Sequence, residues 1–152
     1  MVVGNRQPPG GFKSKRGSAV NLREVKIRRY SMGDYEAIRE AVFHYCEGYR
    51  NKDRERLEKA FALDVAVMTG YIKNKDGELE LWSMTMKDAI DSWVAPDYTP
   101  FEFSEGRMLA VDIFHGLGAT VLFDFGGRYL ESYQLAKIDG MWRIVSKFIV
   151  NP

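Results

Sequence analysis

The sequence predicts an α+β domain in which helices cover one face of a curved antiparallel sheet. The first supporting observation is an amphipathic helix over residues 34–52, whose apolar residues recur at three- and four-residue spacing. The second is the C-terminal third, residues 119–150, where β-branched and aromatic runs are separated by Asp139 and Gly140, a dipeptide typical of short hairpins. The predicted order is helix, helix, hairpin, helix and a three-stranded meander.

The length and the charge distribution indicate one domain that follows a basic segment. The chain has 152 residues, enough to bury a sizeable core. Residues 1–30 carry eight Lys and Arg side chains and a single acid, Glu24. We expect residues 1–31 to be a flexible extension and residues 32–152 to be a single domain, and the sequence leaves open whether Met32 is the natural start. No aromatic–basic RNA-binding motif is present, so a nucleic-acid partner is not expected.

Several classes of protein are not expected from this sequence. No apolar run is long enough to span a bilayer and no signal-peptide segment follows Met1, so we expect no membrane association. The single cysteine, Cys46, allows no internal disulfide, so the expected location is the cytoplasm, a reducing compartment. His44 and His115 lack the spacing of zinc ligands, and no metal is expected. No glycine-rich loop opens a helix, and no cofactor is expected.

Polar residues at the starts of the helices predict their boundaries. Asp34 is expected to cap the first helix and Asp53 to cap a second over residues 54–61. Thr85 is expected to cap a third helix over residues 86–94. The apolar stripes of these helices predict that each faces a core.

Alternating and β-branched runs predict the strands. A hairpin is expected over residues 65–84, and residues 101–114 begin the meander. Residues 119–138 are predicted to form one long strand, bent by a bulge at Gly126 and Gly127, because paired glycines inside a strand usually mark a bulge. A bent sheet has a concave face that a helix, a ligand or both must fill.

Three segments resemble the putative lumazine-binding family: Tyr45 to Asp53, Leu57 to Asp64 and Tyr133 to Val145. This family belongs to the cone-shaped nuclear transport factor 2-like superfamily, which includes SnoaL-like and ketosteroid-isomerase-like proteins. The resemblance implies a cone-shaped barrel whose curved antiparallel sheet wraps around a long N-terminal helix, with two further helices. It also implies an apolar pocket between the first helix and the sheet, and dimerisation through the outer face of the sheet.

The outer face of the sheet is expected to form a homodimer interface. Leu122, Val145 and Ile149 are apolar, and we expect them to be covered by a second copy of the chain rather than by water. The expected partners are therefore this second copy and a small-molecule ligand.

The resemblance implies two candidate catalytic residues. Tyr45 falls where ketosteroid isomerases place the tyrosine of their oxyanion hole, and Glu131 falls where they place its protonated acid. Tyr129 and Tyr133 share a strand face with Glu131, and these aromatic neighbours would favour a neutral acid that donates a hydrogen bond. The alternative is that Glu131 faces solvent or pairs with Lys147, while Tyr45 is an ordinary core phenol.

The predicted function is that of a small-molecule-binding domain with an apolar pocket. The domain could also be an enzyme that uses the pocket for isomerase, cyclase or dehydratase chemistry on a cyclic apolar ligand. The proton-abstracting base of ketosteroid isomerases would fall at Thr69, which cannot abstract a proton at neutral pH. The alternative is a non-catalytic dimeric scaffold or protein-interaction domain whose cone is filled by its own side chains. Besides the two candidate catalytic residues, the expected pocket residues are His44, Tyr49, Met68, Trp82, Trp93, Phe103, Tyr129, Tyr133 and Phe148.

Overall fold

A computed structural model describes residues 32–150, which form three helices and one six-stranded sheet. The predicted extension at residues 1–31 lies outside the described residues. The helices are α1 (Met32–Asn51), α2 (Arg54–Ala60) and α3 (Met86–Val94). The strands are β1 (Val67–Lys73), β2 (Leu79–Thr85), β3 (Gly106–Phe114), β4 (Gly118–Phe125), β5 (Tyr129–Ile138) and β6 (Met141–Val150).

The strands lie in the order β2-β1-β6-β5-β4-β3, with α1 packed against β3 and β6 and α3 packed against β1 and β2. The α+β class is confirmed. The sheet differs from the predicted antiparallel arrangement at one pair, because β1 and β6 run parallel. Parallel neighbours need a long crossover, and here α3 and the meander supply it. The sheet is open, with β2 and β3 at its edges, so it curves over α1 without closing into a barrel.

The prediction of one long strand over residues 119–138 is wrong. The chain reverses at Gly126 and Gly127, and β4 and β5 pair as an antiparallel hairpin. The φ angles of these glycines are 65° and 74°, and two successive residues with positive φ reverse the chain in a way that suits twisted antiparallel strands. The Oδ1 atom of Asp124 accepts a hydrogen bond from the Gly127 amide at 2.7 Å and holds the turn. The meander therefore has four strands.

Two of the three predicted helix caps are confirmed. The side chains of Asp53 and Thr85 each accept a hydrogen bond from the amide three residues later, at 3.1 Å. The prediction for Asp34 is wrong, because α1 begins two residues earlier and places Asp34 in its first turn. Its Oδ1 atom instead accepts hydrogen bonds from Lys137 Nζ and Trp142 Nε1, both at 2.9 Å. This carboxylate ties the start of α1 to β5 and β6.

The segment between α3 and β3, residues 95–105, is a loop and not the start of a strand. We call it the α3–β3 loop. It contains Pro96 and Pro100, which have no backbone N–H to donate to a neighbouring strand. The amide of Phe101 donates to the hydroxyl of Tyr49 on α1 at 3.3 Å. The loop is therefore attached to a helix and takes no part in the sheet.

A bulge in β6 changes which face of the sheet its side chains occupy. Leu135 pairs with Ile144, and the preceding residue of β5 pairs with Ser146, so Val145 is an extra residue in β6. Ile144 is buried on the helix side before the bulge, and Lys147 is buried on the same side after it. The alternation of β6 is thus shifted by one residue at Val145.

The two glycines of the β4–β5 turn give a matched test of this turn. Both have positive φ, so Gly127→Ala should lower the free energy of unfolding by about 1–2 kcal/mol. A Cβ atom at Gly126 would also lie 2.3 Å from the Cβ of Phe103, whereas one at Gly127 would contact nothing within 4 Å. Gly126→Ala should therefore lose about 1–3 kcal/mol more, measured by urea unfolding. Equal losses would contradict the close approach to Phe103.

Candidate functional site

Four polar side chains form a buried cluster on the helix side of the sheet, which we call the polar cluster: Tyr45 from α1, Glu131 and Tyr133 from β5, and Lys147 from β6. Glu131 and Lys147 are 2% and 3% exposed. Lys147 Nζ lies 3.0 Å from Glu131 Oε1 and donates to the Tyr45 hydroxyl at 2.5 Å. The Tyr133 hydroxyl donates to Glu131 Oε2 at 2.5 Å. Cross-strand pairing of Tyr133 with Lys147 brings β5 and β6 together here.

The polar cluster combines features of both alternatives considered for Glu131. Glu131 pairs with Lys147, as one alternative proposed, and it shares a buried wall with Tyr45, as the other proposed. An isolated charge at such a depth would lose its hydration without compensation. The Glu131 carboxylate and the Lys147 ammonium therefore each compensate the other's loss of hydration.

Burial changes the acid–base behaviour of the cluster. It raises the pKa of the Tyr45 and Tyr133 hydroxyls well above their ordinary value of 10.0, and the nearby carboxylate of Glu131 raises them further. Burial lowers the pKa of Lys147 from its ordinary value of 10.5, although the charge of Glu131 acts in the opposite direction. Both phenols thus keep their protons at neutral pH, whereas Lys147 releases its proton more readily than a surface lysine.

The polar cluster forms one wall of a pocket of about 140 Å³, to which it contributes Tyr45, Glu131 and Lys147. The rest of the lining is apolar or aromatic and comes from α1, α3, the α3–β3 loop and strands β1, β2, β5 and β6. These residues are Tyr49, Met68, Ile72, Trp82, Trp93, Tyr98, Phe101, Tyr129 and Ile149.

Two hydrogen-bond donors of the polar cluster remain available at the pocket wall. An ammonium has three N–H groups, and among residues 32–150 Lys147 has two acceptors, Glu131 and Tyr45. The oxygen of the Tyr45 hydroxyl accepts a hydrogen bond from Lys147. The proton of the same hydroxyl has no acceptor among the side chains and backbone groups of residues 32–150. The wall can therefore donate to an oxygen atom in the pocket.

The α3–β3 loop forms one side of the pocket and is held by side chains at and just after the end of α1. Tyr98 and Phe101 of the loop line the pocket. Lys52, the residue after α1, donates through Nζ to the carbonyl oxygens of Ala95 and Tyr98, at 2.5 and 2.8 Å. The Tyr49 and Tyr98 hydroxyls are 2.7 Å apart. Side-chain contacts, rather than pairing in the sheet, hold this cover in place.

Seven of the predicted site residues lie together around this pocket. They are Tyr45, Tyr49, Met68, Trp82, Trp93, Tyr129 and Glu131. Their roles in binding or catalysis stay predictions.

Four predicted ligand-binding residues lie elsewhere, so their prediction is corrected. The Tyr133 ring lies in the core behind Glu131, which its hydroxyl contacts. Phe103 packs against Phe125 with ring centroids 4.4 Å apart, and the Arg50 guanidinium lies 4.4 Å above its ring. The remaining two are His44 and Phe148.

His44 points to a separate groove beside α2 and the β5–β6 turn. Its Nδ1 atom accepts a hydrogen bond from Arg56 Nε at 3.2 Å, which holds the ring away from the pocket. Phe148 lies on the outer face of the sheet, near Tyr71, because the bulge at Val145 shifts the alternation of β6. The same shift corrects the prediction that Ile149 lies on the outer face, since Ile149 lines the pocket.

The sequence interpretation missed the central position of Lys147 and considered it only as a partner of Glu131. A lysine two residues before Ile149, in a strand of apolar residues, shares the face of that isoleucine. The inward position of Lys147 can be predicted only when the bulge is known, because regular alternation from Ile144 would place Lys147 on the outer face. Tyr98 and Phe101 were missed because they belong to a loop.

The described part of the chain has no site arranged for a metal and no membrane-spanning helix. Among residues 32–150, no group of three or more His, Cys, Asp or Glu side chains is placed to hold a metal ion. No helix in this range is both long enough and apolar enough to cross a membrane.

The family model described as "Putative lumazine-binding" matches residues 33–149. The chain belongs to this family. The resemblance inferred from three sequence segments is thus confirmed. A search of curated proteins finds no match.

Solved structures similar to this lumazine-binding family member support the same fold. An NTF2-like protein of unknown function from Shewanella baltica OS155 is 24% identical, covers 77% of this chain and 92% of its own, and superposes with a TM-score of 0.61. One from Methylobacillus flagellatus KT is 23% identical, covers 82% and 96%, and has a TM-score of 0.64. At these identities the likeness shows the NTF2-like fold alone.

A double-mutant cycle tests the dependence of Glu131 and Lys147 on each other. Glu131→Gln and Lys147→Met should each lower the free energy of unfolding at pH 7 by about 3–5 kcal/mol, because each leaves one buried charge without its partner. The double variant removes both charges and should lose much less than the sum of the two single losses. Chemical denaturation of the four proteins measures the coupling. Additive losses would contradict a mutually dependent buried pair.

Proposed function

We propose that this protein binds a small molecule built on a single ring that bears a hydrogen-bond-accepting oxygen. The observation that carries the proposal is the donor wall formed by Tyr45 and Lys147 inside a pocket whose other walls are mostly aliphatic and aromatic. A few polar groups that converge in an apolar pocket are typical of ligand sites. The description of the family, "Putative lumazine-binding", also supports a small-molecule ligand.

The size and walls of the pocket favour one ring. An apolar cavity of about 150 Å³ holds benzene, and this pocket of about 140 Å³ is similar. The Trp93 indole stacks on Tyr45, with centroids 5.8 Å apart, so part of the wall is already flat and aromatic. A bicyclic ligand would require the α3–β3 loop to move outward.

The polar end of the ligand should be a neutral oxygen acceptor. The charges of Glu131 and Lys147 balance each other, so the pocket offers donors without a net charge. An anionic ligand would bring an unpaired charge into a buried site, which is unfavourable. A ring carbonyl meets these conditions.

The same wall also supports acid–base chemistry as a use of the pocket. Tyr45 and Lys147 would stabilise negative charge that develops on a carbonyl oxygen, as an oxyanion hole does. The carboxylate of Glu131 lies at the same wall and can exchange a proton with a bound ligand. Isomerisation, cyclisation and dehydration of a carbonyl compound all use such groups.

A non-catalytic scaffold is the second candidate, and the volume of the pocket favours it. Ligand pockets usually measure about 300–1,000 Å³, which is more than twice the volume here. The rings of Trp82, Trp93 and Phe101 are among the residues that line and narrow this pocket. In this case the polar cluster has a purely structural role.

A homodimer through the outer face of the sheet is also proposed. Leu81, Tyr71, Val150 and Leu130 are successive cross-strand neighbours on β2, β1, β6 and β5, so they form one continuous row. Leu81, Tyr71 and Leu130 are 58%, 40% and 50% exposed in the single chain. An exposed apolar row on the face opposite the helices is typical of a surface that a second copy of the chain buries.

Ligand binding can be tested with benzamide, whose ring bears an amide carbonyl, and toluene, which lacks the oxygen. We expect benzamide to raise the melting temperature of the wild type. Tyr45→Phe should weaken benzamide binding by about 1–2 kcal/mol, because one buried hydrogen bond is lost, and should leave toluene binding unchanged. Tyr35→Phe makes the same chemical change on α1 outside the pocket and should have no effect. Absence of any shift with either compound would favour the scaffold.

The dimer can be tested by light scattering. The wild type should have the mass of two chains at micromolar concentration, and Leu130→Glu should give single chains, because a carboxylate in the apolar row would lose its hydration. Leu117→Glu places the same charge at the β3–β4 turn, where the leucine is 65% exposed, and should leave the dimer intact. A wild-type mass of one chain would contradict the proposal.

A further inference from the structure

We propose that Lys147 captures small aldehydes and ketones covalently, as an imine in the pocket. This inference rests on the ligand pocket proposed above and names a chemical class for it. The relevant observation is a lysine whose amine lies at the pocket wall between a carboxylate and a phenol.

The position of Lys147 distinguishes it from the other lysines of the described chain. Its side chain is 3% exposed and lines the pocket, where it is the sole lysine of the lining. Lys52 donates to two loop carbonyls, and Lys137 pairs with Asp34. Lys59 and Lys87 are more than half exposed and pair with acids on their own helices. A carbonyl compound that enters the pocket therefore meets Lys147.

The neighbours of Lys147 hold the amine in one place. Glu131 Oε1 lies 3.0 Å from Nζ, and the Tyr45 hydroxyl lies 2.5 Å from it. The centroids of the Tyr45 and Trp93 rings are 4.7 and 5.2 Å from Nζ. An amine fixed beside an acid–base group and a hydroxyl donor has the groups that imine formation requires.

The first step needs a neutral amine, which Glu131 can provide. The ammonium of Lys147 passes one proton to Glu131 Oε1, which leaves a neutral amine and a neutral acid. Burial favours this exchange, because it lowers the pKa of the lysine. The nitrogen lone pair then forms a C–N bond to the carbonyl carbon, and the C=O π electrons move to the oxygen, to which Tyr45 donates.

The second step expels water. A proton moves from the new C–N nitrogen to the oxygen and gives a carbinolamine. Glu131 then returns its proton to the carbinolamine hydroxyl, the C–O bond breaks, and the nitrogen lone pair forms the C=N bond as water leaves. The products are a protonated imine and the Glu131 carboxylate, so the buried ion pair is restored. One carbonyl compound and one ammonium yield one protonated imine and one water, without an oxidant or a reductant.

Trapping with benzaldehyde and cyanoborohydride tests the inference on the full chain. Cyanoborohydride reduces an imine to a stable benzyl amine, which peptide mass mapping locates. We expect Lys147 to be the most heavily labelled lysine of the chain, because it is the lysine that lines the pocket in which benzaldehyde would bind. Lys147→Arg keeps the positive charge but cannot form the imine, and its total labelling should fall to that of the surface lysines. Lys87→Arg is the matched control on the surface of α3 and should label like the wild type apart from the loss of its own site.

A competition experiment keeps the test decisive if Lys147→Arg fails to fold. Excess benzamide has the same ring and carbonyl but does not condense with amines, so it should protect Lys147 of the wild type from benzaldehyde. Labelling spread evenly over the surface lysines would overturn the imine. If benzamide raises the melting temperature while Lys147 stays unlabelled, the imine is wrong and the pocket stands. If benzamide has no effect and Lys147 stays unlabelled, both proposals fail.

Discussion

The buried ion pair between Glu131 and Lys147 is the interaction on which the arrangement of the pocket depends. Two opposite charges buried this deeply are stabilised when they lie within hydrogen-bond distance of each other and further hydrogen bonds support them. Here the Tyr133 hydroxyl supplies a second hydrogen bond to the carboxylate, and Tyr45 supplies an acceptor for the ammonium. The requirement therefore fixes β5, β6 and α1 relative to one another. The same arrangement places Lys147 and Tyr45 in the lining of the pocket.

The bulge at Val145 makes this pair possible. It allows Ile144 to pack in the core and Lys147, three residues later, to lie on the same side of the sheet. Without the extra residue, the ammonium would face outward and the pocket would lose its polar wall. Bulges often occur beside functional sites because they redirect one side chain while the rest of the strand stays paired. The bulge also places the apolar side chain of Phe148 on the outer face of the sheet, where regular alternation would have placed Lys147.

The pocket is small because a loop of aromatic residues lies over it. The α3–β3 loop is attached through Lys52 and Tyr49, whose contacts are side-chain hydrogen bonds. Contacts of this kind can open locally without unpairing the sheet. The volume of the pocket therefore depends on this loop, whereas its polar wall depends on the sheet.

The sequence by itself determined the α+β class, the helices, the caps at Asp53 and Thr85, and the turn at Asp139, because each depends on residues a few positions apart. It also placed Tyr45 and Glu131 near each other through family resemblance. Only the tertiary structure decided the parallel pairing of β1 with β6, the hairpin at Gly126 and the inward position of Lys147. The parallel pairing joins strands that are distant in the chain, and the hairpin needs positive φ at both glycines. The position of Lys147 depends on a single extra residue in β6, which exchanges the two faces of that strand.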